Sequence, residues 1–379
     1  MPRLNTHLMQ TTPIRFTGRD TNGAEFFTVL RKRVDAYFTD QKISKHWNGK
    51  MVLKTVILLS CYLLPFAAIL IFQPSLPVSL ILWSLMGVSV AGIGMCVMHD
   101  ACHSAYSANS TVNYVLGHTL NLLGGSVFNW KIQHNVMHHT YTNIVSHDYD
   151  IQDKAVLRFS PHTKVKWYHK LQFLYAIPFY GILTLYWTLL KDYVQFFKYQ
   201  KEKSSNYSSS QAVFTFLRIT AGKLVYYFVI MFVPVVFLHL SFWYITSGFL
   251  LMHFIAGVIL TLVFQLAHSV EGTDYPVPCE KGTIDNAWAL HQMATTVNFS
   301  TRTKWISWYV GGLNFQVEHH LFPAICHVHY FELAPIVKQT AEEFGVPYLE
   351  NDTLISALGS HFRALRNLGR LPSLDEAIG

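Results

Sequence analysis

TVILLSCYLLPFAAILIFQPSLPVSLILWSLMGVSVAGIGMCVM, residues Thr55 to Met98, runs for 44 residues without an Asp, Glu, Lys or Arg. One crossing of the hydrocarbon core takes about 20 apolar residues, so this stretch holds two helices. The prolines of Gln73-Pro74-Ser75-Leu76-Pro77 mark a turn between them, outside the hydrocarbon. Leu224 to Val270 repeats the arrangement, with 47 residues free of the same four types and a turn near Ser241-Phe242-Trp243-Tyr244. The chain therefore reads as an all-α integral membrane protein whose four transmembrane helices form two hairpins, spanning about 52–72, 78–98, 222–241 and 245–267.

The whole chain agrees with that reading. Of 379 residues, 51% are hydrophobic and only 13% charged, about half the charged share of a soluble domain. A net charge of +7 could suggest nucleic acid, but the basic residues sit in loops around charge-free blocks, so no nucleic-acid partner is expected. The first 54 residues hold ten Lys or Arg against four Asp or Glu, and neither hairpin turn carries any. The positive-inside rule then puts both termini and the central loop in the cytoplasm, across a bacterial inner membrane or the endoplasmic reticulum. Met1 to Lys50 is polar, without the apolar core of a cleaved signal. The five cysteines form no CxxC pair, so neither a disulfide framework nor a cysteine zinc site is indicated.

Leu171 to Leu190 is a further 20 uncharged residues. Parity decides its reading. If it crossed, the histidines before it and those after the second hairpin would face opposite sides of the membrane, so it is expected to be interfacial or re-entrant, interrupted by Pro178 and Gly181. Thr111 to Trp130 is a weaker segment of the same kind. Lys198 to Gln211, KYQKEKSSNYSSSQ, reads as a solvated linker. The chain divides into a cytosolic N-terminal segment (1–50), a membrane domain (51–330) and a cytosolic C-terminal helical segment (331–379).

Twenty histidines are anomalous here, because an ionisable group near a bilayer is costly unless function requires it. His99 and His103 in HDACH stand four apart, one turn along a helix continuing from the second span. His134 and His138 in HNVMHH repeat that spacing, and His139 is rotated from His138 by roughly 100°, so the adjacent pair can reach two different ions. Gln316, His319 and His320 in QVEHH have i, i+3, i+4 geometry, and His268 ends the last span. These histidines exceed what one tetrahedral zinc can use. Two ions with open positions fit better, and among metals that take imidazole, iron is the one that activates O2. His7, His46, His162, His169 and His361 lack such partners and read as interfacial residues, while His239 and His253 read as packing or interfacial.

HDACHSAYS, WKIQHNVMHHTYTNI followed by HDYDI, FQLAHSVE and GGLNFQVEHHLFP resemble the membrane fatty acid desaturases, with their HxxxH, HxxxHH and QxxHH boxes. The likeness is to the acyl desaturases whose third box begins with Gln, the subgroup containing the front-end enzymes, and it covers roughly Ala91 to Tyr330. It implies a cytosolic helical cap holding a di-iron site and an O2-dependent desaturation of a fatty acyl chain, carried as a CoA thioester or on a lipid. It carries the ligand role to His99, His103, His134, His138, His139, His268, His319 and His320. Gln316 stands where other desaturases have His, and His291 in WALHQMATTVNF also matches the subgroup. Asp100, Asp148, Asp150 and Glu318 are the nearby acids that could orient imidazole N–H groups. Many of the subgroup carry a fused cytochrome b5 domain with an HPGG motif. That motif is missing here, so no bound haem is expected and the electrons should come from a separate ferredoxin or cytochrome b5. A hydroxylase or other lipid oxygenase on the same scaffold is the nearer alternative. A histidine-rich metal transporter or sensor is more distant, since its ligands would lie at mid-span.

Overall fold

The computed structural model describes residues 14–18, 21–151, 156–202 and 207–374; His7 lies outside them. Among the described residues five helices are long and apolar enough to cross a membrane: α2 (Gly49–Phe72), α3 (Leu76–Cys102), α4 (Trp167–Lys201), α5 (Ser209–Phe237) and α6 (Phe242–His268). An N-terminal helix α1 (Thr21–Gln41) precedes them, and α7 (Trp288–Thr295), α8 (Gln316–Leu321), α9 (Tyr330–Glu343) and α10 (Leu354–Leu368) follow.

Local chemistry sets the ends of the first hairpin. The Asn48 side chain accepts from the N–H groups of Lys50 and Met51, satisfying two donors the helix leaves open. Gln73 turns left-handed at φ 44°, and Pro77 sits in the first turn of α3, where its missing N–H costs nothing. At the second hairpin the turn falls earlier than expected. α5 ends at Phe237 through a π-helical stretch containing Pro234, and Phe242 already opens α6, so the aromatic pair read as a turn is the first turn of a helix. The expected linker is also shorter, since α4 runs to Lys201 and Ser208 caps α5 with Gln211. The Ser-rich composition around Ser208 suits a loop, whereas Ser208 itself is a helix start signal. Residues 203–206 lie outside the described part.

α4 departs most from expectation. It continues through Pro178 and Gly181, because in an apolar segment the remaining backbone groups have no better partner than each other.

The chain divides into two compact units. One comprises His46–Ile132 and Ile177–Val263, hence α2, α3, α5 and most of α4 and α6. Here small residues allow close helix contact: a methyl group at Gly257 of α6 would lie 2.6 Å from the Tyr180 carbonyl of α4. Thr184 of α4 donates to the His253 carbonyl at 2.7 Å, and the His253 ring meets the Tyr226 hydroxyl of α5 at 2.8 Å.

The other unit comprises the described residues up to Lys45, Gln133–Ala176, and Phe264 onward. Phe26, Leu30, Val34 and Phe38 recur every four residues and form one face of α1, in a core with Leu333, Val337 and Ala341 of α9 and with Met293, Val317 and Leu321 of α7 and α8. Two short parallel pairings, Arg15–Phe16 with Thr283–Ile284 and Asn298–Phe299 with Glu350–Asn351, join distant segments. α10 holds the chain just beyond α6. The His361 ring nitrogen Nδ1 donates to the Ser269 carbonyl at 2.7 Å, the Glu271 N–H donates to Ser360 at 3.0 Å, and Arg363 grips the Glu271 carboxylate at 2.8 Å. The end of α10 is bound by the buried Arg158 guanidinium, which donates to the Leu368 and Leu371 carbonyls.

Burial lowers His361 from its ordinary 6.5 to about 4. The unfolded chain therefore takes up a proton that the folded one refuses, and stability falls as pH drops from about 6.5 to about 4, then levels off. Thermal unfolding in detergent should show that slope, and His361→Asn, which keeps an N–H donor but cannot titrate, should make it shallower by the share of one proton. An equal slope in the variant would refute the assignment.

Candidate metal centre

Six histidines converge in the second unit described above. His134 and His138 belong to a π-helical stretch, Lys131–His138, with His139 next in line. The wider i→i+5 turn changes the geometry expected from an α-helix. His139, expected to rotate away, has its Nε2 3.3 Å from that of His134, while the His134 and His138 rings stack at 5.2 Å. His268 comes from the end of α6, and His319 and His320 from α8. His139 lies 4.6 Å from His319 and 4.4 Å from His320 between ring centroids, and His138 lies 4.7 Å from His268 and 4.9 Å from His320. All six are buried. Gln316 joins them, its amide nitrogen 2.9 Å from His268 Nε2 and 3.3 Å from His320 Nε2.

The outward nitrogens are committed. His138 Nδ1 lies 2.9 Å from Asp148 and His134 Nδ1 2.8 Å from Asp150. His268 Nδ1 donates to the Thr295 carbonyl at 3.2 Å, and His320 Nδ1 to the Gln292 amide oxygen at 2.8 Å. Each of these partners accepts, so each Nδ1 carries the hydrogen and each Nε2 keeps its lone pair. One nitrogen each of His138, His268 and His320 lie within 4.8 Å of one another, as do ligand atoms of His134, His138 and Asp150. His138 Nε2 is buried without a hydrogen-bond partner. A buried lone pair that meets no donor, as at His138 Nε2, is costly unless a cation lies against it, and neutral imidazole suits iron, zinc, copper and nickel. The residues fit a metal.

Electrostatics distinguish the acids. Burial lowers the His138 pKa, but the Asp148 carboxylate and its hydrogen bond, with Asp150 further off, more than reverse this and raise it. Asp148 is itself held by the N–H groups of Asn143, Asp150 and Ile151. Glu318 differs from the expectation that it would orient an imidazole: its oxygens accept from Asn298 and Tyr348, both at 2.8 Å. Burial outweighs those bonds and raises its pKa to about 7. Its place between His319 and the 298–299 strand explains this, since neighbours on a helix point different ways.

His291 is buried on α7, its ring 5.0 Å from Phe16, and desolvation lowers it to about 4. Its neighbour Gln292 is the residue that reaches the cluster, touching His320, Thr142 and the His139 carbonyl. Gln292, Thr295 and Tyr330, whose hydroxyl meets His319 at 3.2 Å, were not anticipated; only the singled-out stretch around His291 hinted at the first two. His99 and His103 lie in the other unit, at the end of α3 after a π-helical turn at Ile93–Met98. Their rings are 4.7 Å apart and both flank Trp130. Asp100 is 3.8 Å from His99 Nδ1, longer than a hydrogen bond.

Comparison with known proteins adds a family. Residues 74–351 match the family described as Fatty acid desaturase. The chain is 35% identical over 348 residues to the sn-1 linoleoyl-lipid 6-desaturase of Synechocystis sp., covering 91% of this chain and 96% of that protein. It is 35% identical over 355 residues to the acyl-lipid (8-3)-desaturase of Physcomitrium patens, covering 92% and 73%. Against the sn-1 linoleoyl-lipid 6-desaturase of Arthrospira platensis the identity is 34% over 347 residues, covering 92% and 93%.

Removing a carboxylate that orients a metal-binding imidazole typically lowers metal affinity about 10–100-fold. Asp148→Ala and Asp150→Ala should each show that loss in titrations with Fe2+ while circular dichroism stays unchanged. Unaltered affinity in both would remove these acids from the site.

Proposed function

Because the chain belongs to the fatty acid desaturase family, we propose that its histidine cluster holds two iron ions with which O2 introduces a double bond into a fatty acyl chain carried on a lipid. Acyl desaturation, an oxidoreductase activity of lipid metabolism, comes with the family. The observation that carries the metal is the set of Nε2 lone pairs turned inward by Asp148, Asp150, Thr295 and Gln292. The ligand role extends to His134, His138, His139, His268, His319 and His320, and on the box pattern to His99 and His103. Gln316 is a neutral neighbour of two of these rings, and His291 is left to packing. Bound there, the metal supplies with O2 and two electrons an oxidant able to take hydrogen from an unactivated methylene, which side chains cannot do.

The chain's own residues do the rest. Asp148 and Asp150 hold the Nδ1 protons of His138 and His134, so the rings cannot turn. Burial keeps water from the reacting centre. The names of the relatives, which act on acyl lipids, support a lipid-borne acyl group over a CoA thioester. Electrons would come from a separate carrier, ferredoxin or cytochrome b5. An acidic one suits the positive cytosolic segments, with encounter slowed by salt.

Parity now supports the membrane arrangement more directly. His134, His138 and His139 precede α4, while His268 ends α6 and His319 and His320 follow it, yet these rings touch. An odd number of crossings between them would separate them. We therefore read α2, α3, α5 and α6 as the spans and α4 as a helix that does not cross, with termini and boxes cytoplasmic.

Purified protein should hold about two irons per chain, the number the clustered histidines would satisfy, and His138→Ala or His319→Ala should abolish activity while the protein still inserts. With a reduced carrier and an acyl lipid the product should be lighter by two hydrogens; a product heavier by one oxygen would make the enzyme a hydroxylase. Cysteines placed at Ser75 and Ser241 should label from the side opposite to one at Ser208, in a Cys279→Ser background. Labelling of all three from one side would overturn the four-span reading.

A further inference from the structure

Away from the histidines, the unit holding α5 contains a cleft of about 80 Å3, roomier than one water requires. Its floor is a buried ion pair. The Lys223 ammonium lies 2.8 Å from the Asp192 carboxylate and donates to the carbonyls of Gly124, Trp187 and Thr188 at 2.8 to 3.0 Å. That lysine is fully used and its charge balanced. At the mouth stands Arg218, exposed and, among the described residues, without a carboxylate partner. Its guanidinium is oriented. His118 donates from Nδ1 to the Tyr114 carbonyl at 2.7 Å, which leaves Nε2 to accept from Arg218 at 3.3 Å, and the Phe214 ring lies 5.9 Å beneath the cation. Asn121, Tyr207 and Thr215 add hydrogen-bonding groups to the walls.

Depth identifies what could bind. Arg218 and Lys223 are the last charges before 47 uncharged residues begin at Leu224. On the same helix Val213, Phe214 and Leu217 are exposed apolar side chains. The cleft thus opens where an apolar surface meets a fixed, uncompensated cation, which is headgroup depth in a bilayer. A planar guanidinium with neutral donors around it matches an oxyanion.

We propose that this cleft binds the phosphate of an anionic glycerolipid, with the acyl chains lying over Phe214 and Leu217. The same donors would accept free phosphate, so the test separates the two. Full-length protein in neutral detergent is examined by native mass spectrometry with phosphatidylglycerol, phosphatidylcholine or inorganic phosphate. Phosphatidylglycerol should be retained in preference to phosphatidylcholine, and Arg218→Gln should weaken its retention roughly fivefold, the effect of one basic residue at a charged surface. Arg218→Lys, keeping the charge but losing the fork, should fall between. Equal retention of both lipids, an Arg218→Gln protein that binds phosphatidylglycerol as tightly as wild type, or its full displacement by millimolar phosphate would each overturn the assignment. Binding is measured without turnover, so failure here would leave the desaturase reading untouched.

Discussion

The site depends on hydrogen bonds that point away from it. Six buried imidazoles at van der Waals distance would be an expense without return unless each had a fixed tautomer, because a ring free to flip offers a proton as readily as a lone pair. Asp148, Asp150, the Thr295 carbonyl and Gln292 remove that freedom for His138, His134, His268 and His320. These four partners come from two loop carboxylates and one helix, so the site draws its order from segments that carry no ligand. The backbone amides around Asp148 extend the same logic outward, since a carboxylate that accepts from three N–H groups has no rotamer left to explore.

The π-helical turns matter for a related reason. An α-helix places residues five apart on different faces, which is why the spacing of HNVMHH suggested that His139 would be directed elsewhere. In the wider turn His134 and His139 face each other. A second π-helical turn, Ile93–Met98, precedes His99. Both boxes thus follow or occupy segments where one backbone position has been added to the helix, a local cost tolerated where side chains must be aimed.

Much of this was legible in the amino-acid order. Charge-free runs locate α2, α3, α5 and α6, and the box spacing picks out the histidines that meet. Caps and turns were less legible: Ser208 and Phe242 have loop-like or interfacial chemistry, yet both start helices. α4 misled because proline and glycine usually punctuate a helix, whereas here an apolar setting makes continuation cheaper. The roles of Gln292, Thr295 and Tyr330 were hidden, since polar contacts 11 to 153 residues apart follow no helical or strand period that a sequence could show. Asp148 and Asp150 could be singled out by their closeness to the second box; Glu318, though closer still to a box histidine, bonds elsewhere because its helix turns it toward Asn298.

The pairing of Asn298–Phe299 with Glu350–Asn351, and the grip of α10 on Ser269 and Glu271, have a bearing on biosynthesis. Both supports for α8 and the end of α6 lie downstream of every histidine in the cluster. While the chain emerges from the ribosome, the histidines are made and the helices can enter the bilayer before the segments that brace them exist. Contacts so distant in sequence form late. The order of assembly therefore runs from membrane insertion to docking of the 350–351 strand and α10, and the imidazoles reach their final spacing only once those segments have been made.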